Sequence, residues 1–168
     1  MMGEIDPIGR EGLNPTRRYH DARPRQMARG LITLTTPVNS ATLSLYNESL
    51  GDRLLVVRAY NLFTTVAHLV LVQLQQNKQG TAGGSVAPMV PGDVTAGTLY
   101  SLDTATVLPN PDYIVDLPYN RPAWDYAFPF QVLHPNWSLS FQDTTAAETM
   151  RLAIMWEAIY PDQLDYFR

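Results

Sequence analysis

Trp137-Ser138-Leu139-Ser140-Phe141-Gln142, and then Met150-Arg151-Leu152-Ala153-Ile154-Met155-Trp156, decide the fold class. Successive side chains of a strand point to opposite faces, so Trp137, Leu139 and Phe141 share one face and Ser138, Ser140 and Gln142 the other. The second run alternates in the same way, with Met150, Leu152, Ile154 and Trp156 against Arg151, Ala153, Met155 and Glu157. A helix competes for residues 146–159. Thr145-Ala146-Ala147-Glu148 fits a capping box, and Ala, Glu, Met and Leu favour helix. Strand is preferred because a hairpin between the two runs would bury both apolar sets together, with both tryptophans on one face.

Period two also governs the chain upstream. Ile32 and Leu34 alternate with Thr33 and Thr35 until Pro37, and Ala41, Leu43 and Leu45 alternate with Thr42, Ser44 and Tyr46. Asn47-Glu48-Ser49-Leu50-Gly51-Asp52 supplies turn chemistry. Residues 53–60 and 66–75 are rich in Val and Leu without clean alternation, the pattern of strands buried on both faces, with a buried helix as the alternative that the pattern leaves open. Residues 76–97 hold Gly80, Gly83, Gly84, Pro88, Pro91, Gly92 and Gly97 and read as one long irregular loop. Shorter β pieces follow at 98–102 and 113–117. Short strands punctuated by turns, without alternating helical segments, predict an all-β chain. The expected body is a single β-sandwich of seven or eight strands over residues 30–160, with a jelly roll as the preferred form.

The 168 residues and 45% hydrophobic content suit one globular domain with a real core. No cysteine is present, which removes disulfides and thiolate metal sites and fits a reducing compartment. No apolar run approaches the ~18 residues that span a bilayer, and the start Met-Met-Gly-Glu-Ile-Asp is acidic where a signal peptide is basic and then apolar. A soluble chain with no membrane partner is expected.

Charge is unevenly placed. Residues 1–29 hold Arg10, Arg17, Arg18, Arg23, Arg25 and Arg29 against Glu4, Asp6, Glu11 and Asp21, a net of +2 that leaves −6 of the total −4 for the remainder. This segment lacks apolar periodicity and carries Pro7, Pro15 and Pro24, so it reads as an extended arm. Residues 161–168 read as a C-terminal tail. Arginine makes planar bidentate contacts and suits protein interfaces. A net of +2 is too small to support nucleic acid as a partner.

Residues able to carry chemistry are sparse and scattered. His20, His68 and His134 lie far apart, and no pair sits one residue apart as a metal site on a sheet would need. His68 reads as a core histidine and His134 as an exposed turn residue. Paired carboxylates could cleave sugars, with Asp112, Asp116, Asp103, Asp125 and Asp143 as candidates. Asp112 reads as a turn cap. Asp116 shares a strand face with Ile114, an odd position for a solvated acid. Gly80-Thr81-Ala82-Gly83-Gly84-Ser85 lacks the Gly-Lys-Ser/Thr of a phosphate loop and reads as flexible. The aromatics Tyr119, Trp124, Tyr126 and Phe128 could stack on sugars, but filling the core end or an interface is favoured. The expectation is a chain without enzymatic activity or cofactor. Its interface residues are the six arginines of the arm with Tyr119, Trp124 and Tyr126.

Residues 128–145, Phe-Pro-Phe-Gln-Val-Leu-His-Pro-Asn-Trp-Ser-Leu-Ser-Phe-Gln-Asp-Thr-Thr, followed by Met150-Arg-Leu-Ala-Ile-Met-Trp-Glu, resemble the closing strands of small jelly-roll virion proteins of tailed bacteriophages. Ala41-Thr-Leu-Ser-Leu-Tyr-Asn-Glu-Ser is similar to their early strands. The resemblance implies a capsid decoration (cement) or head-associated protein that sits in the virion after assembly in the host cytoplasm. It implies capsid or other virion proteins as partners and a homo-oligomer, with a trimer as the first expectation. A tail, baseplate or adaptor subunit is the alternative within that class, and a carbohydrate-binding module the alternative outside it.

Overall fold

A computed structural model describes residues 26–48, 52–66, 69–92, 95–117 and 131–161, together with the main-chain course of 123–125. Twelve strands and no α-helix occur among the described residues: β1 (Gln26–Leu34), β2 (Ser40–Tyr46), β3 (Leu54–Thr64), β4 (Leu69–Gln76), β5 (Thr81–Ala82), β6 (Ser85–Pro88), β7 (Thr98–Thr104), β8 (Tyr113–Asp116), β9 (Ala123–Asp125), β10 (Gln131–Leu133), β11 (Trp137–Ala146) and β12 (Met150–Ile159). They form two antiparallel sheets. The first runs β10-β3-β12-β1-β6, with β9 also on β3, and the second runs β5-β7-β2-β11-β4-β8. This is the expected all-β sandwich.

The pairing order makes it a jelly roll. β1 pairs with β12, β2 with β11, β3 with β10 and β9, and β4 with β8, all antiparallel. The first half of the chain therefore meets the second half in reverse order, as a long ribbon wrapped around a barrel axis. Contacts β12·β3 and β11·β4 close the wrap. The roll uses eight strand positions, as expected. The count of twelve exceeds the eight roll positions by four: β5 and β6, which lie in residues 76–97 expected to be one loop, β7, and β9, which shares one edge of β3 with β10.

β5, β6 and β7 widen both sheets. β5 pairs with β7, which pairs with β2 in the second sheet, while β6 pairs with β1 in the first. The glycine-rich run between them is thus a corner that changes sheets rather than a slack loop. Gly80 and Gly84 have φ of +85° and +77°, and a Cβ would stand 2.2 Å from the Ser101 carbonyl oxygen at the first and 2.6 Å from that of Leu31 at the second. No side chain fits either approach.

Two further expectations are corrected. β11 and β12 do not form a hairpin; they lie in different sheets and face each other across the core, because the turn between them is a corner of the roll. Residues 26–29, assigned by sequence to the arm, begin β1 and pair in register with residues 155–158. The poor alternation of 53–60 has two causes: the strand is buried on both faces, as expected, with Leu54 and Val56 in a cluster apart from the main core, and it carries an extra residue. Met155 pairs with Ala59 and Trp156 with Val57, so Arg58 is an extra residue, a β-bulge. The bulge resets the phase, and Leu55 and Val57 before it and Tyr60 and Leu62 after it all reach one core.

That core lies between the sheets, with Trp156 its largest buried side chain. Tyr60 of β3 and Phe141 of β11 meet across it at 4.9 Å between ring centres. The Trp156 Nε1–H donates to the Ala96 carbonyl at 2.7 Å, so the one polar atom of the indole is satisfied. Gly30 and Gly97 make room for the ring: a Cβ on either would come within 3.1 Å of it. Trp156→Ala should cost about 3–5 kcal/mol in urea or guanidinium unfolding. A loss below about 1 kcal/mol, normal for surface positions, would contradict this placement.

Candidate functional site

The outer face of the first sheet carries an open apolar groove of about 480 Å³ over β6, β1 and β12. Two cross-strand rows build it. Ala87, Arg29 and Met155 stand side by side, and Ser85, Leu31 and Ala153 form the next row. The small side chains Ala87, Ala153 and Ser85 leave the space, and Arg29, Leu31 and Met155 rise around it. Leu31 is 45% exposed although its strand has neighbours on both sides. Arg29 and Ser85 are the only polar side chains in the lining. An apolar floor with one guanidinium at its rim suits a peptide that brings aliphatic groups and a carboxylate.

Beside the groove the same face is closed over. Leu54, Val56 and Ile159 form a second small buried cluster with Val132 against it. Glu157, paired with Val56 in the ladder, is buried there. The bulge at Arg58 turns its guanidinium onto this carboxylate, with Nη2 and Nε donating to Oε2 at 2.5 and 3.2 Å. The bulge thus corrects the phase of the core and supplies the counter-charge for a buried acid.

Of the interface residues expected from sequence, Arg29 is the one whose side chain is described, and it lines the groove from within a strand rather than from a free arm. Trp124 lies on β9 opposite Asn61. Arg10, Arg17, Arg18, Arg23, Arg25, Tyr119 and Tyr126 lie outside the described residues, as do His20 and His68. The reading of residues 1–25 as an extended arm lies outside them as well. His134 is exposed, as expected. Leu31, Ala87, Ala153 and Met155 were not singled out by sequence. A signal was present: the outward phase of β12 contains Ala153 and Met155, apolar where an exposed face would be polar.

Among the described residues the candidate acids each serve a separate place in the fold, and the Asp125 side chain lies outside them. The Asp103 carboxylate on β7 accepts the N–H groups of Val38 and Asn39 at 2.7 and 2.8 Å and closes the β1–β2 turn. Asp112 accepts the Leu74 N–H at 2.5 Å and extends the β4–β8 pairing, a cap as expected. Buried Asp143 accepts the Thr145 N–H at 2.8 Å, inside the irregular part of β11 where the register shifts. Asp116 and Ile114 are both exposed, so the oddity of that face belongs to Ile114, open over 55% of its surface, and not to the acid. Asn47, in the glycosylation-like Asn47-Glu48-Ser49, is buried and donates to the carbonyls of Arg53 and Leu133. On the second sheet the outward Ser44 and Ser140 hydroxyls bond at 2.9 Å, and Gln142 pairs with the main chain of Thr106 and Leu108, which folds over that face.

Fold and surface together define the class: a jelly-roll β-sandwich with an apolar groove on one outer face. Comparison of the chain with protein-family models, curated proteins and solved structures finds no match.

The Asp103 carboxyl is held below the usual aspartate range, first by the Val38 N–H and then, against a desolvation effect, by Asn39. A depressed folded value adds stability above the unfolded value of about 3.9 that is lost as pH falls through the folded one. The stability gap between the wild type and Asp103→Asn should therefore be constant near neutrality and shrink below about pH 4. Urea unfolding across a pH series measures it, and a gap independent of pH would refute the role.

Removing Arg58 should leave Glu157 as a buried, uncompensated charge. Arg58→Ala should cost about 2–3 kcal/mol, below the ~3–5 of a fully buried pair because Arg58 stays 27% exposed. Arg58→Met with Glu157→Leu should cost less than Arg58→Ala alone, and thermal melting compares the two.

Proposed function

We propose that this chain is a structural protein of a phage particle, a capsid decoration or cement protein that holds to neighbouring virion chains through its sandwich faces and its N-terminal residues. The observation that carries the reading is the outward apolar cluster of Leu31, Ala153 and Met155 on two central strands of a sheet. Exposed apolar surface of this kind usually marks contact with another chain. The jelly-roll pairing order agrees with the architecture that the resemblance of residues 128–157 implies. A rigid body repeated many times on a lattice gains avidity from contacts that are weak singly. The proposed partners are capsid or other virion proteins and further copies of the chain, with no catalytic role and no cofactor.

Mass spectrometry of washed particles of the phage encoding the chain should find it at a fixed ratio to the major capsid protein, in the head fraction of a gradient. Leu31→Glu should reduce that occupancy while leaving the unfolding transition in place, since the position faces outward. Particles that lack the chain, or occupancy unchanged by Leu31→Glu, would defeat the reading or its contact face respectively.

A further inference from the structure

The groove asks for an occupant with aliphatic groups and a carboxylate, and the chain contains one. Glu4-Ile5-Asp6-Pro7-Ile8 puts two carboxylates and two branched aliphatics within five positions. We propose that the groove receives residues 4–8 of a second copy of this chain, so that the arm of one subunit seats on the body of the next. This deepens the assembly reading by naming one partner, and rests on it only for where the contact operates.

Three features support the match. The first is spacing. Proline restricts itself and the residue before it to extended or polyproline conformations, in which positions three apart share a side about 9 Å apart. Ile5 and Ile8 are three apart around Pro7. From β6 across β1 to β12 is two strand spacings, about 9.5 Å. The two isoleucines can thus stand together over the row of Ala87, Arg29 and Met155, one above Ala87 and the other beside Met155.

The second feature is charge. Residues 1–9 carry Glu4 and Asp6 and no basic side chain, and Arg29 stands at the rim. A guanidinium pairs with a carboxylate through parallel, charge-assisted hydrogen bonds.

The third is reach. Residues 9–25 separate the segment from β1, and seventeen residues span up to about 56–61 Å when extended. A body of this size is roughly 35–40 Å across. The chain's own groove lies only about 13 Å along β1 from Gln26, so docking at home would fold this stretch into a wide loop. A neighbour's groove accepts it at full stretch.

The chain has no cysteine, so an introduced pair reports contact without background. Ile8→Cys in one full-length chain is mixed at high micromolar concentration with Ala87→Cys in another under mild oxidation. Mixed-disulfide dimer should exceed by about tenfold that formed with Thr33→Cys, on the same outward face but beyond the groove, as docking raises the local thiol concentration. Adding Arg29→Glu to the Ala87→Cys chain should lower the yield. Yield equal to the Thr33→Cys control overturns the proposal. So does closure within a single chain carrying both cysteines at high dilution, which would place the arm on its own body. Efficient coupling of Leu164→Cys in place of Ile8→Cys would assign the groove to the C-terminal Asp162-Gln163-Leu164-Asp165 instead. Coupling in free chains that are missing from particles leaves this contact standing and removes the virion reading; occupancy in particles without coupling does the reverse.

Discussion

Trp156 sets the spacing of the whole sandwich. Its indole lies in β12, the central strand of the first sheet, and reaches toward Leu45 and Leu99 of the second. An aromatic of that size between sheets that pack about 10 Å apart leaves no room for side chains above and below it. Gly30 on β1 and Gly97 before β7 are the local answer. The bond from Nε1 to the Ala96 carbonyl then fixes the segment that enters β7, and β7 carries the Asp103 that closes the β1–β2 turn. One large ring thereby couples both sheets, the strand that widens the second of them, and the first turn of the chain.

Acidic side chains serve the main chain throughout this fold. Asp103, Asp112 and Asp143 each accept a backbone N–H where a ladder ends or slips, and Glu157 meets a guanidinium brought to it by a bulge. A jelly roll has many corners, and each corner strands donors that a carboxylate can satisfy. The same residues, read only as letters, look like candidates for hydrolytic chemistry. Their partners show them closing turns and ladders.

How far the sequence discloses this depends on whether a feature is local. The alternation at 41–46, 137–142 and 150–156 is local and yields strands directly. Pairing is not local: β11 and β12 have matched patterns and a short connection, the usual marks of a hairpin, yet the corner between them sends them to opposite sheets. The bulge at Arg58 hides a regular strand behind an irregular pattern, and the close approaches at Gly80 and Gly84 make two strands look like a loop. Of the groove, Arg29 was visible as a charge, but Leu31, Ala87 and Ala153 come together only through the register of three strands.

The reversed pairing order has a consequence for the birth of the molecule. β1, the first described strand, lies between β6 and β12, and β12 is the last of the described strands. During synthesis β1 and β3 emerge with apolar faces and open edges whose shared partner, β12, follows only after more than eighty further residues. The first sheet cannot close on the ribosome before residues 150–159 are released, and the second waits for β11 at 137–146. Such a chain folds slowly, because its pairings join distant positions. Until then it exposes unpaired strand edges, the features through which nascent β proteins associate wrongly. A cell that makes this chain in quantity would depend on holding factors in that interval, and loss of residues 150–159 would remove the centre of a sheet rather than an edge.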